Sequence, residues 1–189
     1  MNRKDALCGA LKQVAFGYVM LYFNINIGTV DLLPAWFGYV LFHKAITGEL
    51  NKEDPMIGLL RPLAVVLGVY SFIAWLFMFG GESLYLPIVS VLESVIELYF
   101  HFQLLTNLAN IAAKYHCKQE KNILTLRTVQ TVLQTVYVFL YHIEQYELSF
   151  IIGMVQLIVL IWLCVVLFGL KKSMEQVPDE IIIQGSECD

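Results

Sequence analysis

The sequence predicts an all-α polytopic membrane protein, a bundle of six transmembrane helices in three hairpins with both termini in the cytoplasm. Two observations lead to this prediction. First, 58% of the 189 residues are hydrophobic and only 15% are charged, whereas soluble domains average about 25% charged residues. Second, the 12 Lys and Arg residues fall between paired apolar stretches, and the link inside each pair contains none of them. This distribution obeys the positive-inside rule, by which cytoplasmic loops hold the excess of basic residues.

The apolar stretches predict the helices in order. The expected ranges are 5–25, 30–46, 56–79, 84–113, 122–143 and 148–170. A hydrocarbon core of ~30 Å requires about 20 apolar residues, and the first, third, fourth and sixth helices meet that length. The second has about 17 residues and reaches only ~25 Å. Six crossings still keep every basic residue on one side, whereas five would separate them, so the charges favour a full crossing.

Two regions follow from this topology. Residues 1–172 form the six-helix transmembrane domain, and residues 173–189 form an acidic cytoplasmic tail that contains five Asp and Glu residues and no Lys or Arg. The links expected on the outer side also contain acids without bases. Neither region has a basic block suited to nucleic acid. The expected location is the plasma membrane, with multiple passes through the lipid bilayer.

The fourth helix contains the most informative polar residues. Glu93, Glu97 and His101 recur at every fourth position and therefore lie in one row along the helix. A carboxylate at mid-bilayer must be protonated, paired or hydrated. Gln134 and His142 belong to a polar stripe on the fifth helix that is expected to face the bundle. Three interpretations remain open: a proton or cation relay, a polar cavity for a solute, or a structural network without a ligand.

The first hairpin presents a second polar group at the outer mouth. Asp31 is expected to cap the second helix, while Asn24 and Asn26 are candidates to line an entrance for a cation or solute. The sequence has no nucleophile motif, no phosphate-binding glycine loop and no zinc pattern. We therefore expect no catalytic residues, no metal site and no cofactor.

Residues 24–41, N-I-N-I-G-T-V-D-L-L-P-A-W-F-G-Y-V-L, resemble the opening hairpin of uncharacterised small multi-pass membrane proteins of Firmicutes. The shared features are an Asn-rich exit, an Asp-x-Leu-Pro turn and a following Gly-Tyr. The resemblance covers about a tenth of the chain. It implies a bacterial plasma-membrane protein and no particular activity.

Three functional hypotheses follow. The first is a small solute or ion transporter, or a solute-binding transporter subunit. In size and layout the chain is similar to the substrate-capture subunits of energy-coupling-factor vitamin transporters, and Ala6 and Ala10 have the spacing that permits close contact with a partner helix. The second is a regulatory, immunity or assembly protein without a substrate, acting on a membrane or cytoplasmic partner. The third is an intramembrane enzyme, and the polar row of the fourth helix is the one feature that supports it.

Overall fold

The computed structural model describes residues 3–22, 26–27, 30–31, 34–79 and 87–178, and for residues 26–27, 30–31, 79 and 87 it describes the backbone alone. Asn24, the outer link 80–83 and the tail from residue 179 onward lie outside this description. Six helices dominate the described chain: α1 (Arg3–Tyr22), α2 (Ala35–Ala45), α3 (Arg61–Phe79), α4 (Pro87–Lys114), α5 (Glu120–His142) and α6 (Tyr146–Gln176).

The all-helical class is confirmed, and four helices are long and apolar enough to cross a membrane. These are α3 with the turn before it, α4, α5 and α6. α1 differs because it contains four charged residues, with Lys12 near its middle. α2 differs because its 11 residues extend only ~16 Å at 1.5 Å each.

A kinked linker joins α2 to α3. The helical path continues beyond α2 through Ile46–Leu50 and Asn51–Glu53, but Gly48 interrupts it with φ −90° and ψ −125°. A single 3₁₀ segment, Pro55–Leu60, follows, and Asp54 caps it by accepting a hydrogen bond from the Met56 N–H at 3.1 Å. The expected third helix therefore divides into a 3₁₀ turn and α3.

The start of α2 differs from the expectation that Asp31 caps it. The residue at the N-cap position is Pro34, with no side-chain hydrogen bond to the first turn. The backbone of Asp31 instead pairs with that of Asn26 in a two-residue antiparallel ladder, β1 (Asn26–Ile27) against β2 (Val30–Asp31). The ladder holds the Asp31 backbone four residues before the helix, so Pro34 rather than Asp31 occupies the N-cap position.

The helices pack in the order α3, α2, α1, α6, α5, α4, each against the next. The first and third expected hairpins, α1–α2 and α5–α6, are in close contact. The expected hairpin of α3 and α4 is not closely packed, since those two helices share few contacts and have α2 and α5 as their main neighbours. Large side chains fill the centre: the Tyr18 and Phe42 rings lie 5.1 Å apart, and the Phe42 and Phe100 rings 5.6 Å apart.

Contacts at one end of the bundle join distant parts of the chain. Near the beginning of α1, Lys4 Nζ donates to the carbonyl of Val177, just past α6, at 2.7 Å. The Cys117 and Met174 sulfurs lie 3.6 Å apart, which adds the link between α4 and α5. The two ends of the described chain thus meet at the same end of the bundle.

Candidate functional site

Glu97 is the centre of a polar cluster inside the bundle. It lies ten residues after the start of α4, about 15 Å along the helix axis. Its carboxylate accepts hydrogen bonds from the Tyr39 hydroxyl of α2 and from Gln134 Nε2 of α5, each at 3.4 Å. Both donors are neutral, and within the described ranges no Lys or Arg forms an ion pair with this carboxylate. The side chain of Glu97 is 19% exposed.

His101 lies one turn further along α4 and links Glu97 to α1. Its Nε2 is 3.6 Å from Glu97 Oε1, an ion-pair distance, and its Nδ1 is 3.3 Å from the Tyr18 hydroxyl. The ring is buried. Since Tyr18 can donate to Nδ1 or accept from it, either tautomer of the ring fits. The nitrogen that faces Glu97 is a donor in one tautomer and an acceptor in the other.

A chain of amides continues the cluster across the bundle. Gln156 of α6 donates from Nε2 to the Gln134 Oε1 atom, so the amide that donates to Glu97 is itself held by α6. Gln130, one turn before Gln134, donates from Nε2 to the Tyr22 hydroxyl at 3.1 Å. These contacts join α1, α5 and α6 to the site through uncharged groups.

Beside these groups lies a cavity of about 10 Å³, lined in part by Tyr22, His101, Gln130 and Gln134. That volume is close to the minimum of roughly 10–15 Å³ that holds one water molecule. His101 Nε2 and Gln130 Oε1 are buried and have no hydrogen-bond partner in the described chain. Unpaired polar atoms beside a space of this size fit a single water or an ion of similar size.

The other predicted members of the row and stripe are not all brought together. Glu93 is half-buried and forms no hydrogen bond within the described residues. His142 lies eight residues beyond Gln134, where its Nδ1 is 2.8 Å from the Val138 carbonyl. Of the two residues predicted on α5, only Gln134 therefore reaches Glu97.

Beyond His101, the polar residues of α4 do not extend the row of Glu93, Glu97 and His101 as one connected path. Gln103 donates to Asn107 Oδ1 at 3.0 Å, and Asn107 is buried. Asn110 is exposed on the outside of α4. Arg127 also lines the cavity. It donates to Thr106 at 3.1 Å and stacks over Phe102, and within the described residues it forms no ion pair with a glutamate.

The outer-mouth residues remain predictions. The ladder sets the backbones of Asn26 and Asp31 side by side, while their side chains and the whole of Asn24 lie outside the described structure. Among the described residues, no group of three or more His, Cys, Asp and Glu side chains is arranged to hold a metal ion.

A second carboxylate, Glu53, is fully buried and has charged partners. Its side chain is 1% exposed. Oε1 accepts from Arg3 at 2.9 Å, and Oε2 accepts from the Tyr115 hydroxyl at 2.6 Å and from Lys114 at 3.3 Å. One carboxylate thus ties the linker after α2 to the start of α1 and to the end of α4.

The Glu53 carboxylate affects the pKa of the Tyr115 hydroxyl. Burial, and then the hydrogen bond to Glu53, raise the pKa of Tyr115 above its ordinary value of 10. The neutral hydroxyl is therefore the donor in this contact at physiological pH.

Sequence reasoning missed the hydroxyl groups of Tyr18 and Tyr39 and the role of Glu53. A signal for the first two exists: a tyrosine within an apolar helix generally has a hydrogen-bond partner when it is buried. No pattern in the sequence distinguishes Glu53 from the neighbouring acids Glu49 and Asp54, because its partners come from residues 50 to 62 positions away.

Comparisons of this chain with protein-family models, with curated proteins and with solved structures found no match.

Proposed function

We propose that this chain is a bacterial plasma-membrane protein that crosses the bilayer six times with both termini in the cytoplasm. The contact between Lys4 and Val177 supports an even number of crossings, because it holds both described ends on one side. The basic residues around those ends favour the cytoplasm for that side. α2 is then the short span, which the helical path through Ile46–Leu50 lengthens and local thinning of the bilayer can accommodate.

Lys12 is the basic residue that this topology places deepest. It follows Arg3 by nine residues, about 13 Å along α1. Its side chain is exposed, and its Nζ lies 5.7 Å from the centroid of the Phe16 ring. A lysine at the centre of a spanning helix costs about 2.5–3.5 kcal/mol on insertion scales, and a long flexible stem lowers that cost by reaching towards the interface.

Within this bundle, we propose that Glu97 binds a proton or a small monovalent cation as part of a transport cycle. The observation that supports this is the ligand set of Glu97: a hydroxyl, an amide and an imidazole surround a mid-span carboxylate without a Lys or Arg. A charged carboxylate at this depth is expensive unless a counter-charge accompanies it. A proton or a cation can supply that charge reversibly, whereas an arginine would neutralise it permanently.

The size of the cavity favours a proton or a single small ion over a vitamin. Pockets for organic ligands have volumes of roughly 300–1,000 Å³, while the interior cavity has about 10 Å³. Two aromatic side chains that could contribute to a vitamin pocket, Trp36 and Tyr137, also lie apart. Trp36 lines a groove between α2 and α3, and Tyr137 lines a cleft between α5 and α6.

The contacts of Glu97 and His101 allow one proton to occupy two positions. With the proton on Glu97, the carboxyl faces an unprotonated Nε2 while Nδ1–H donates to Tyr18. With that proton on Nε2, the carboxylate is ionised and the ring is a cation whose Nδ1–H still donates to the Tyr18 hydroxyl. The transfer therefore moves one proton between Glu97 and His101, and the Tyr18 hydroxyl accepts from Nδ1 in both states.

Proteoliposomes that contain a pH-sensitive dye test this proposal. A potassium diffusion potential should drive proton entry through the wild-type protein, and sodium on one side should alter the rate if the cation shares the site. Glu97→Gln keeps the shape of the side chain but cannot ionise, so the flux should fall to that of empty liposomes.

Glu147→Gln is the matched control, because Glu147 is exposed at the start of α6 and the same chemical change there should leave the flux intact. An infrared band of a protonated carboxyl that is lost in Glu97→Gln gives a readout independent of flux. Equal ion-driven flux in wild type and Glu97→Gln would show that Glu97 only stabilises the bundle.

A further inference from the structure

A groove on the outside of the bundle separates α2 from α3. Its volume is about 380 Å³. Trp36 and Phe72 stand at one end, and His43 and Ala64 stand at the other. His43, Tyr39 and Trp36 are the lining residues with polar atoms in their side chains, and the other lining residues are apolar. The α3 wall is exposed, with Val65 at 48% and Val69 at 52%, so in a bilayer this groove opens to the acyl chains.

The groove and the turn of α3 that precedes it together match the thickness of one leaflet. Arg61 begins α3 one turn before Ala64, and from Arg61 to Phe72 the helix rises through eleven residues, about 16 Å. Half of a hydrocarbon core of ~30 Å is about 15 Å. An acyl chain that starts beside Arg61 would therefore reach the level of Phe72 and Trp36 near the bilayer midplane.

The His43 end of the groove is cationic. Lys44 is exposed next to His43. Arg61 forms no hydrogen bond or ion pair with any described residue, and its Nε is buried without a partner. The two other arginines are engaged: Arg3 binds Glu53, and Arg127 binds Thr106. A guanidinium left without an acceptor at the polar end of an apolar groove fits a phosphate group.

We propose that this groove binds one anionic phospholipid, its acyl chain between α2 and α3 and its phosphate at Arg61 and His43. The assignment to the inner leaflet rests on the proposed topology, whereas the groove and its cationic end do not. Two features favour a lipid over a soluble phosphate: the phosphate-binding end continues directly into the apolar groove, and the groove is open along its side to the membrane.

Tryptophan quenching tests the proposal, because Trp36 lines the groove and Trp75 lies 6.2 Å from it. Trp162, the third tryptophan, is exposed on α6 and is removed by Trp162→Phe. The protein is placed in phosphatidylcholine vesicles that contain a small fraction of phosphatidylglycerol brominated in its acyl chains, or the same fraction of brominated phosphatidylcholine. A basic residue near the membrane surface favours an anionic lipid about fivefold. Brominated phosphatidylglycerol should therefore reach a given degree of quenching at about a fifth of the lipid fraction that brominated phosphatidylcholine requires.

Arg61→Gln should reduce this preference about fivefold, and Val65→Phe should reduce quenching by both lipids by filling the groove. Lys172→Gln is the control, because it removes an exposed charge near the same end of the bundle and should leave the preference unchanged. Equal quenching by the two lipids would mean ordinary annular lipid and would overturn the proposal. So would an equal loss in Lys172→Gln, or a melting shift with inorganic phosphate alone that depends on Arg61.

Discussion

At the scale of single residues, Glu53 and Glu97 show two different environments for a carboxylate inside the bundle. Glu53 accepts from two cations and a tyrosine, so its charge is compensated within the fold. Glu97 accepts only from neutral donors, with an imidazole nearby. Removing a partner from a compensated buried charge is costly to stability, whereas a charge compensated by a mobile ion changes state without unfolding the protein.

We expect Glu53→Gln to destabilise the protein by about 2 kcal/mol. Breaking a buried ion pair generally costs 3–5 kcal/mol, and the partial exposure of Arg3 and Lys114, 27% and 28%, reduces that cost by solvent screening. For a chain of this length the melting temperature should fall by about 5 °C. Thermal unfolding in detergent measures this.

The control for that variant is Glu49→Gln. Glu49 pairs with Lys52 at 2.7 Å, but the lysine is 61% exposed, and such a pair contributes at most about 1 kcal/mol. Equal melting temperatures for Glu53→Gln and Glu49→Gln would show that the Glu53 contacts add nothing beyond a surface ion pair.

Tyr115 should produce an alkaline loss of stability. Its pKa is raised in the folded protein by burial and by Glu53, so above pH 10 the unfolded chain releases this proton first. The folded state then binds more protons than the unfolded state, and stability falls as pH rises. Tyr115→Phe should be less stable at neutral pH and should lose part of this decline. A wild-type decline above pH 10 that is unchanged in Tyr115→Phe would contradict the assignment.

At the scale of elements, the packing of α1 against α2 depends on two glycines. A Cβ on Gly38 would lie 2.8 Å from the backbone carbonyl oxygen of Gly17, and a Cβ on Gly17 would lie 2.6 Å from the Phe42 ring. The helices approach each other closely because neither glycine has a side chain, as is common between membrane helices. The sequence alone does not indicate that these two glycines face each other.

Gly38→Ala should therefore destabilise the protein by about 1–3 kcal/mol, the usual cost of overpacking, because the clash is with backbone that a rotamer change cannot relieve. Gly9→Ala is the matched control: nothing lies within 4 Å of a Cβ there, so the better helix former should be neutral or stabilising. Melting temperatures of the two variants make the comparison. If Gly38→Ala had the same melting temperature as Gly9→Ala, α1 and α2 would not be closely packed.

Periodicity and hydropathy predicted where the long helices lie, and local chemistry moved their ends. α6 continues past its expected end at residue 170 to Gln176, where Lys171 donates to Glu175 at 2.7 Å in the i,i+4 arrangement that favours helix. α2 is shorter than expected because the β1–β2 ladder and Gly48 limit it on either side. Hydropathy contains no information about hydrogen bonding between backbone groups.

At the scale of the whole molecule, the order of packing decides which helices form the site. Glu97 on α4 meets Tyr39 on α2 and Gln134 on α5, while α3, the expected hairpin partner of α4, contributes none of these contacts. α3 and α4 are the first and last helices in the packing order, and the few contacts between them make theirs the weakest of the interfaces around the bundle.

The proposed topology predicts which positions a membrane-impermeant thiol reagent can reach. In a variant without native cysteines, single cysteines at Ser83 and Gln145 should react from outside intact cells, and those at Asn51 and Gln119 should react only after permeabilisation. The basic residues near Asn51 and Gln119 favour the cytoplasm. Reaction of Asn51→Cys from outside would mean that α2 and its linker fail to cross and would refute six crossings.

The sequence by itself determined the membrane class, the four long apolar helices and the row of Glu97 and His101, because hydropathy and helical periodicity are local properties. Only the tertiary structure decided that Glu97 meets neutral donors while Glu53 meets two cations. These partners lie 37 to 62 positions apart along the chain. Whether a carboxylate forms structural ion pairs or is a candidate ion site depends on which helices pack together. Packing brings together side chains that are far apart in the sequence, and such pairs produce no periodic pattern in it.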